Sequence, residues 1–218
     1  MTLETGKTKQ FSLFLAESGN GKTLAMFLLM KAAQKPTIII DSYNQFKGSH
    51  KSLKQLQDYF GDRENTEDFI DYKRQILVTL KAGETKDFYA YLMVSKFLAG
   101  TLIVNDEIDM NLGTSKITEA HPYYEFCNRG RHLEYDHMAT ARATQNVPKC
   151  LTQQTDVFYI GVAQNKYMLD FIEANIAVRG VKSLSEVLPP YQYLKVSKKG
   201  RGRIESFTFN PKLLELFA

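Results

Sequence analysis

The chain has 218 residues, a formal net charge of +4, and a composition that is 44% hydrophobic and 24% charged. These values are typical of a folded protein with a large core. The sequence has no low-complexity region and no repeat of solenoid period, so a repeat architecture is excluded. Because no apolar run is long enough to cross a membrane and residues 1–10 are too polar for a secretory signal, we expect a cytoplasmic protein.

The cysteines and histidines show no metal-site pattern. Cys127 and Cys150 lack metal-ligand spacing and suit a reducing compartment, with a disulfide between them as the minority alternative. His132 and His137 stand five residues apart beside a predicted strand, and we do not expect them to act as joint ligands.

The first predicted strand, Phe11–Leu15, runs into a glycine-rich loop, Ala16–Thr23, and a helix is predicted at about 22–34. Strand, loop and helix in this order are the context of a phosphate-binding P-loop, the Walker A motif. The alternative, a glycine-rich turn before an ordinary helix, is disfavoured because all three parts occur together. The residues predicted to bind the nucleotide are Glu17, Ser18, Gly19, Asn20, Gly21, Lys22, Thr23 and Leu24.

Each part of this loop has a physical role. Gly19 and Gly21 allow a tight turn that brings backbone N–H groups to phosphate oxygens, and the following helix directs its positive end at the same anion. Lys22 is expected to reach the β- and γ-phosphates, and the Thr23 hydroxyl to ligate Mg²⁺. Ala16 stands where the usual pattern has glycine, so we expect the backbone at the start of the loop to differ slightly from the usual one. We expect the part of the loop that binds phosphate to be normal.

The remaining chain alternates between strands and helices, with loops predicted at 42–48, 61–68 and 109–118. The other predicted strands are 37–41, 76–80, 101–105, 137–143 and 157–162, and the other predicted helices are 51–60, 87–98, 123–133 and 168–175. A hairpin signal at 191–209 follows. The pattern predicts an α/β P-loop NTPase fold of the RecA/ASCE type: a mostly parallel sheet with helices on both faces and a C-terminal β-hairpin. We expect one domain over 1–218, with a core at about 10–165 and an extension at 166–218.

The strand at 101–105 ends in an acidic pair, Asp106 and Glu107. An apolar strand that delivers such a pair is the Walker B arrangement, in which Asp106 holds Mg²⁺ and Glu107 polarises the water that attacks the γ-phosphate. The alternative is a solvated acidic turn, because Asp109 continues the acidic character. Asn105 is polar where an apolar residue is commoner, so the assignment of the two roles is uncertain by one residue.

Gln145 follows the predicted strand 137–143. If that strand lies beside the first one, Gln145 sits at its carboxyl tip and faces the γ-phosphate. An amide there can sense the phosphate or hold the attacking water. The structural alternative is a glutamine that caps a loop.

Over about 10–165 the chain resembles the FtsK/HerA superfamily of DNA-pumping ATPases, through segments 19–23, 106–107, 129–132 and 143–148. In that superfamily a basic segment after Walker B precedes a strand that ends in Thr-Gln or Ser-Gln, often followed by proline. The small size is similar to the genome-packaging ATPases of tectivirus-type viruses and to the Zot-like assembly proteins of filamentous phages. The chain departs from the family pattern in Ala16, at the position of the first P-loop glycine, and in having no recognisable DNA-clamp or membrane domain. The second departure disfavours the large bacterial motors and favours a viral packaging enzyme.

The resemblance implies an ATPase that uses Mg²⁺ and works as a homo-oligomeric ring to move double-stranded DNA into a preformed capsid. Capsid vertex or portal proteins would be its partners, in the host-cell cytoplasm or at the virion vertex. In such rings an arginine completes the site of the neighbouring subunit. Arg129 and Arg131 are the candidates, Arg142 and Arg179 are weaker ones, and a solvated surface arginine is the alternative for each.

The turn of the predicted hairpin carries four basic residues, Lys198, Lys199, Arg201 and Arg203. Such a loop can follow a DNA phosphate backbone without reading bases. A solubilising hairpin tip is an equal alternative.

Three other functions stay open. The first is a Zot-like factor for virion assembly or export, and the second is a nucleotide-binding switch without translocase activity. Asn165-Lys166 hints at a guanine-reading motif, but Met168 stands where that motif needs an acid. The third is a small-molecule kinase, for which Glu107 is less natural.

Overall fold

The computed structural model describes residues 10–81, 83–112, 117–198 and 203–210. The strands in these ranges are β1 (Phe11–Leu15), β2 (Thr37–Ile40), β3 (His50–Lys51), β4 (Gln75–Val78), β5 (Leu102–Asn105), β6 (Asp136–Ala141), β7 (Val157–Ile160), β8 (Gln192–Ser197) and β9 (Ile204–Thr208). The helices are α1 (Lys22–Ala33), α2 (Leu53–Gly61), α3 (Arg63–Asp71), α4 (Glu84–Val94), α5 (Ile108–Asn111), α6 (Pro122–Arg129), α7 (Lys149–Gln154), α8 (Lys166–Asn175) and α9 (Val181–Glu186). Single turns of 3₁₀ helix lie at Lys96–Leu98 and Thr144–Asn146.

The strands form one sheet in the order β3-β4-β2-β5-β6-β1-β7-β8-β9. The pairings from β3 through β7 are parallel, and β8 and β9 add an antiparallel hairpin to the β7 edge. The predicted mostly parallel sheet with a C-terminal hairpin is therefore confirmed. β1 lies between β6 and β7, so the loop that follows β1 opens at the carboxyl edge, where open α/β sheets bind ligands.

Side chains of β1 are buried on both faces of the sheet. Phe11, Leu13 and Leu15 pack into the core formed with α2, α3, α4 and α6, whereas Phe14 packs on the opposite face with α1. This two-sided burial explains why the central strands read as continuous apolar runs without alternation. Among the described residues, none of the helices combines the length and the apolar character that a bilayer-spanning segment needs.

The prediction of a loop at 61–68 is wrong, because α3 occupies most of that range. Asp62 caps this helix by accepting the N–H groups of Glu64 and Asn65 at 2.8 and 3.4 Å. Phe69 is the one fully buried side chain of the helix, so the segment has almost no apolar periodicity to reveal it. β6 also ends at Ala141 and not at residue 143 as predicted.

Candidate nucleotide-binding site

The glycine-rich loop turns sharply between β1 and α1. Gly19 and Gly21 have φ of +78° and +77°, a left-handed conformation that favours glycine. Gly21 is the N-cap of α1, no side chain caps that helix, and its first turn holds no acidic residue. The first N–H groups of α1 are therefore left for an anion at the positive end of the helix.

Ala16 does not need the conformation of a glycine, since its φ is not positive. Its methyl group is fully buried and faces Gly161, the residue that follows β7. A Cβ added to Gly161 would come within 2.7 Å of the Ala16 Cβ. Gly161 thus leaves the space that the methyl group of Ala16 occupies at the start of the P-loop.

Lys22 folds back over the loop. Its ammonium donates to the carbonyl oxygens of Ala16 and Glu17 at 2.7 and 3.2 Å. Burial lowers the pKa of Lys22, and the carboxylates of Asp106 and Glu107 oppose that shift. A cation held next to the uncapped N–H groups adds to the attraction for a polyphosphate.

Asp106 directly follows β5 and contacts one residue of α1 and one residue of β6. The Thr23 hydroxyl lies 3.1 Å from both of its carboxylate oxygens, and the Thr140 hydroxyl donates to Oδ1 at 2.5 Å. Asp106 is 3% exposed, and burial raises its pKa against the effect of these hydrogen bonds. The structure therefore brings the predicted P-loop threonine and the predicted Walker B carboxylate into direct contact.

This pair of oxygen donors fits Mg²⁺. One carboxylate and one hydroxyl supply hard oxygen ligands, and no cluster of three or more histidine, cysteine or acidic side chains suited to a metal occurs among the described residues. Magnesium is commonly held by few protein ligands together with substrate phosphates and water. Thr23 and Asp106 are thus suited to a metal that arrives with a nucleotide.

Glu107 has a backbone conformation that is rare for a glutamate. Its φ and ψ are both +55°, in the left-handed region, and its N–H donates to the Thr140 hydroxyl at 2.8 Å. Its side chain is 17% exposed and lies 3.7 Å from the Nε of Arg142. Burial raises the pKa of Glu107, and Arg142 acts in the opposite direction. Strain of this kind costs about 1–3 kcal/mol and clusters at functional sites. Among the described residues, Gln34, Asn44, Lys73, Glu134 and Tyr191 also have a positive φ.

Gln145 lies in the 3₁₀ turn at Thr144–Asn146 and is exposed. β6 does lie beside β1, as expected, but the strand ends four residues before Gln145. The carboxylate of Asp109 accepts the N–H groups of Arg142 and Ala143 at 3.0 and 2.9 Å. These hydrogen bonds end β6 and hold the backbone that leads to Gln145. Asp109 is 1% exposed, so it is a buried acceptor and not part of a solvated acidic turn.

Solved structures share this architecture over nearly the whole chain. The genome packaging NTPase B204 from Sulfolobus turreted icosahedral virus 2 superposes with a TM-score of 0.70 at 15% identity, covering 94% of this chain and 98% of that one. The N-terminal domain of zonular occludens toxin from Neisseria meningitidis gives 0.55 at 14% identity, covering 97% and 100%. The pCW3 conjugation coupling protein TcpA gives 0.61 at 9% identity, covering 96% and 65%.

The chain therefore has a P-loop NTPase fold. The fold implied by the sequence resemblance is therefore confirmed. B204 has also been solved in complex with ATP-gammaS and with AMPPCP. No protein-family model and no curated protein matches the chain.

The two candidate arginines, Arg129 and Arg131, precede β6, whereas the P-loop follows β1, the parallel neighbour of β6. They therefore lie toward the amino edge of the sheet, and the P-loop of the same chain lies at the carboxyl edge. Arg131 pairs with Asp156 at 2.8 Å, donates to the Gln154 carbonyl, and stacks over Phe11. Arg129 is exposed and pairs with Glu125 at 2.5 Å. Arg131 is thus committed to the packing of its own chain, whereas Arg129 stands at the surface.

The hairpin turn lies partly outside the described residues, which leave out Lys199 and Arg201. Lys198 donates to the Thr152 carbonyl at 2.6 Å. Arg203 pairs with Glu205 at 3.1 Å. The two described members of the predicted DNA-binding cluster are therefore engaged within the chain.

Asn165, part of the predicted guanine-reading hint, has a structural role in this fold. Asn165 is the N-cap of α8 and accepts the N–H of Met168 at 2.9 Å. Its own side-chain amide and N–H both donate to Glu17 of the P-loop, at 2.7 and 2.9 Å. Burial raises the pKa of Glu17, but these hydrogen bonds and one from Gln164 outweigh it, so the net pKa is lowered.

Proposed function

We propose that this chain hydrolyses ATP to drive double-stranded DNA into a viral capsid as a homo-oligomeric ring. The observation that carries the proposal is the link from Thr23 through Asp106 and Thr140 to the strained Glu107, on a fold shared with a viral genome packaging NTPase. A kinase or a switch needs the loop and the metal site, but it does not need a glutamate held in a left-handed conformation beside them.

The residues divide the work as follows. The N–H groups at the start of α1 and the Lys22 ammonium bind the phosphates of ATP. When bound, Mg²⁺ neutralises phosphate charge, and Thr23 and Asp106 are the side chains that would hold it. Glu107 acts as the general base that takes a proton from the attacking water. Gln145, in the turn that follows β6, contacts the γ-phosphate and senses its presence.

The proposal is tested by ATP and GTP turnover, measured with and without double-stranded DNA and together with the oligomeric state. A ring whose ATP turnover rises on DNA supports a motor. A monomer that binds nucleotide without turnover, on DNA and off it, contradicts it and favours a switch.

Arg129 is the proposed arginine that acts on the neighbouring subunit, because it stands at the surface whereas Arg131 is engaged within its own chain. Removing Arg129 breaks only an exposed ion pair worth about 0–1 kcal/mol, so its role can be tested without a large loss of stability. Rings of Arg129→Ala alone or of Glu107→Gln alone should be inactive. A mixture of the two should regain turnover, since some interfaces then combine an intact Arg129 with an intact Glu107. If the mixture stays inactive while Arg129→Ala rings still form, the role in trans is excluded.

The alternative function is a Zot-like factor for virion assembly or export. The match to the zonular occludens toxin domain covers that whole domain and keeps this possibility open, at a lower TM-score than B204. Turnover that responds to a membrane-bound assembly protein and not to DNA would favour this alternative.

A further inference from the structure

Tyr191, the residue before β8, lies against the phosphate loop. A Cβ on Gly21 would come within 2.7 Å of the Tyr191 Cδ1 and 3.0 Å of its Cε1. The edge of the ring therefore rests directly on the glycine from which α1 begins. The residue before β8 thus places an aromatic ring beside the phosphate loop.

The backbone holds this ring in place. Tyr191 has a φ of +62°, which is rare for an aromatic residue, and its carbonyl accepts the N–H of Phe209 at 2.9 Å. Two residues later, the Tyr193 hydroxyl donates to the carbonyl of Asn20 in the P-loop at 2.8 Å. A strained φ at a bulky residue persists where its surroundings fix it. The start of β8 is thus built onto two adjacent loop residues, Asn20 and Gly21.

The acidic residues determine the direction in which a nucleotide would run. Asp106 and Glu107 follow β5, on the β6 side of β1, whereas β7 and β8 lie on the other side. A nucleotide whose terminal phosphate faces Glu107 therefore leaves the loop toward β8. Tyr191 is only partly buried there. An exposed aromatic surface is the kind of group on which nucleobases stack.

We propose that Tyr191 forms the nucleobase subsite and stacks on the purine base of the nucleoside triphosphate; this rests on the proposed ATPase function. Stacking grows with the shared ring area, so purines are favoured over pyrimidines. A phenol ring carries no hydrogen-bond pattern that separates adenine from guanine. The subsite therefore selects purines as a class.

The test compares the binding of ATP with that of inorganic tripolyphosphate, which lacks a base, by calorimetry with Mg²⁺ present. Tyr191→Ala should weaken ATP binding about tenfold and leave tripolyphosphate binding within about twofold. Tyr191→Phe should bind both like the wild type. The wild-type preference for ATP over CTP should shrink in Tyr191→Ala.

Equal losses for ATP and tripolyphosphate would overturn the subsite, since Tyr191 would then act only by bracing the phosphate loop. Unchanged ATP affinity in Tyr191→Ala would also overturn it. The matched control is Tyr193→Phe, which removes the hydrogen bond to Asn20 and should weaken both ligands alike. If Tyr191→Ala does not fold, Tyr191→Leu is used for the same comparison of ATP with tripolyphosphate, because leucine can pack against Gly21 but has no aromatic face. A wild-type protein that binds neither ligand contradicts the ATPase proposal itself.

Discussion

The hydroxyl of Thr140 donates to the buried carboxylate of Asp106 at 2.5 Å, across 34 residues of sequence. The same oxygen accepts the N–H of Glu107 at 2.8 Å. One side chain of β6 therefore orients both acidic residues at the end of β5. This contact makes the geometry of the site depend on the pairing of two strands and not on the acidic motif alone.

Replacing Thr140 with valine keeps the shape of the side chain and removes its hydroxyl. We expect ATP turnover to fall at least about tenfold, and the free energy of unfolding to drop by about 1–3 kcal/mol, because buried polar groups lose their partner. Turnover and urea unfolding measure the two effects. Thr140→Ser keeps the hydroxyl and is the control. Wild-type turnover in the valine variant would show that the Thr140 hydroxyl is not needed to orient Asp106 and Glu107.

Arg142 is expected to shape the pH dependence of turnover. Burial raises the pKa of Glu107, and the nearby guanidinium of Arg142 counteracts this. Without that charge the pKa of Glu107 rises further, so a larger fraction of the base is protonated at a given acidic pH. The acidic limb of the rate profile should therefore move to higher pH in Arg142→Ala and stay in place in Arg142→Lys. An unshifted profile in the alanine variant would contradict the coupling.

Ala16 and Gly161 should behave as a compensating pair. Gly161→Ala places two Cβ atoms 2.7 Å apart, and we expect a loss of about 1–3 kcal/mol in the free energy of unfolding. Adding Ala16→Gly should restore part of that loss, with the rest left by Tyr193, which a new Cβ would meet at 3.1 Å. Gly61→Ala is the control, since nothing lies within 4 Å of a Cβ at that position. Equal stability of the single and double variants would argue against the pairing.

His137 should make the protein less stable in acid. It is fully buried among the rings of Phe11, Tyr123 and Phe126, and burial lowers its pKa from 6.5 to about 3. Between these values the unfolded chain binds a proton that the folded chain does not, so stability falls as the pH drops below 6.5. The loss from this residue is at most about 1.4 kcal/mol per pH unit.

His137→Phe should reduce this slope, measured by urea unfolding between pH 7 and pH 5. His132→Gln removes an exposed imidazole and is the matched control. A slope that is the same in the wild type and in His137→Phe would show that other groups account for the acid sensitivity.

The sequence predicts the parts of this protein that local patterns encode. The P-loop at 16–23, with the strand before it and the helix after it, follows from glycine spacing and apolar runs. The mostly parallel sheet agrees with the alternation of strands and helices. The polar helix α3 escapes prediction because one residue, Asp62, both ends α2 and begins α3. Local signals are strongest where burial is periodic.

The contacts of Thr140 and Tyr191 could not be predicted from spacing. Both depend on strands that come together only in the folded sheet, β6 beside β5 and β8 beside β7. A threonine in a buried strand and a tyrosine before a hairpin are ordinary in sequence. The resemblance of residues 143–148 to a known motif drew attention to Gln145, whereas the buried Asp109 that fixes this segment reads as one more surface acid.

The central claim is that ATP hydrolysis at Glu107 moves double-stranded DNA. It is tested most directly by the rate at which the chain displaces a triplex-forming strand from linear duplex DNA, with Glu107→Gln as the matched variant. We predict ATP-dependent displacement by the wild type and none by Glu107→Gln, although the variant still binds ATP. A wild-type ring that hydrolyses ATP on DNA, yet displaces the strand no faster than Glu107→Gln, would contradict the account.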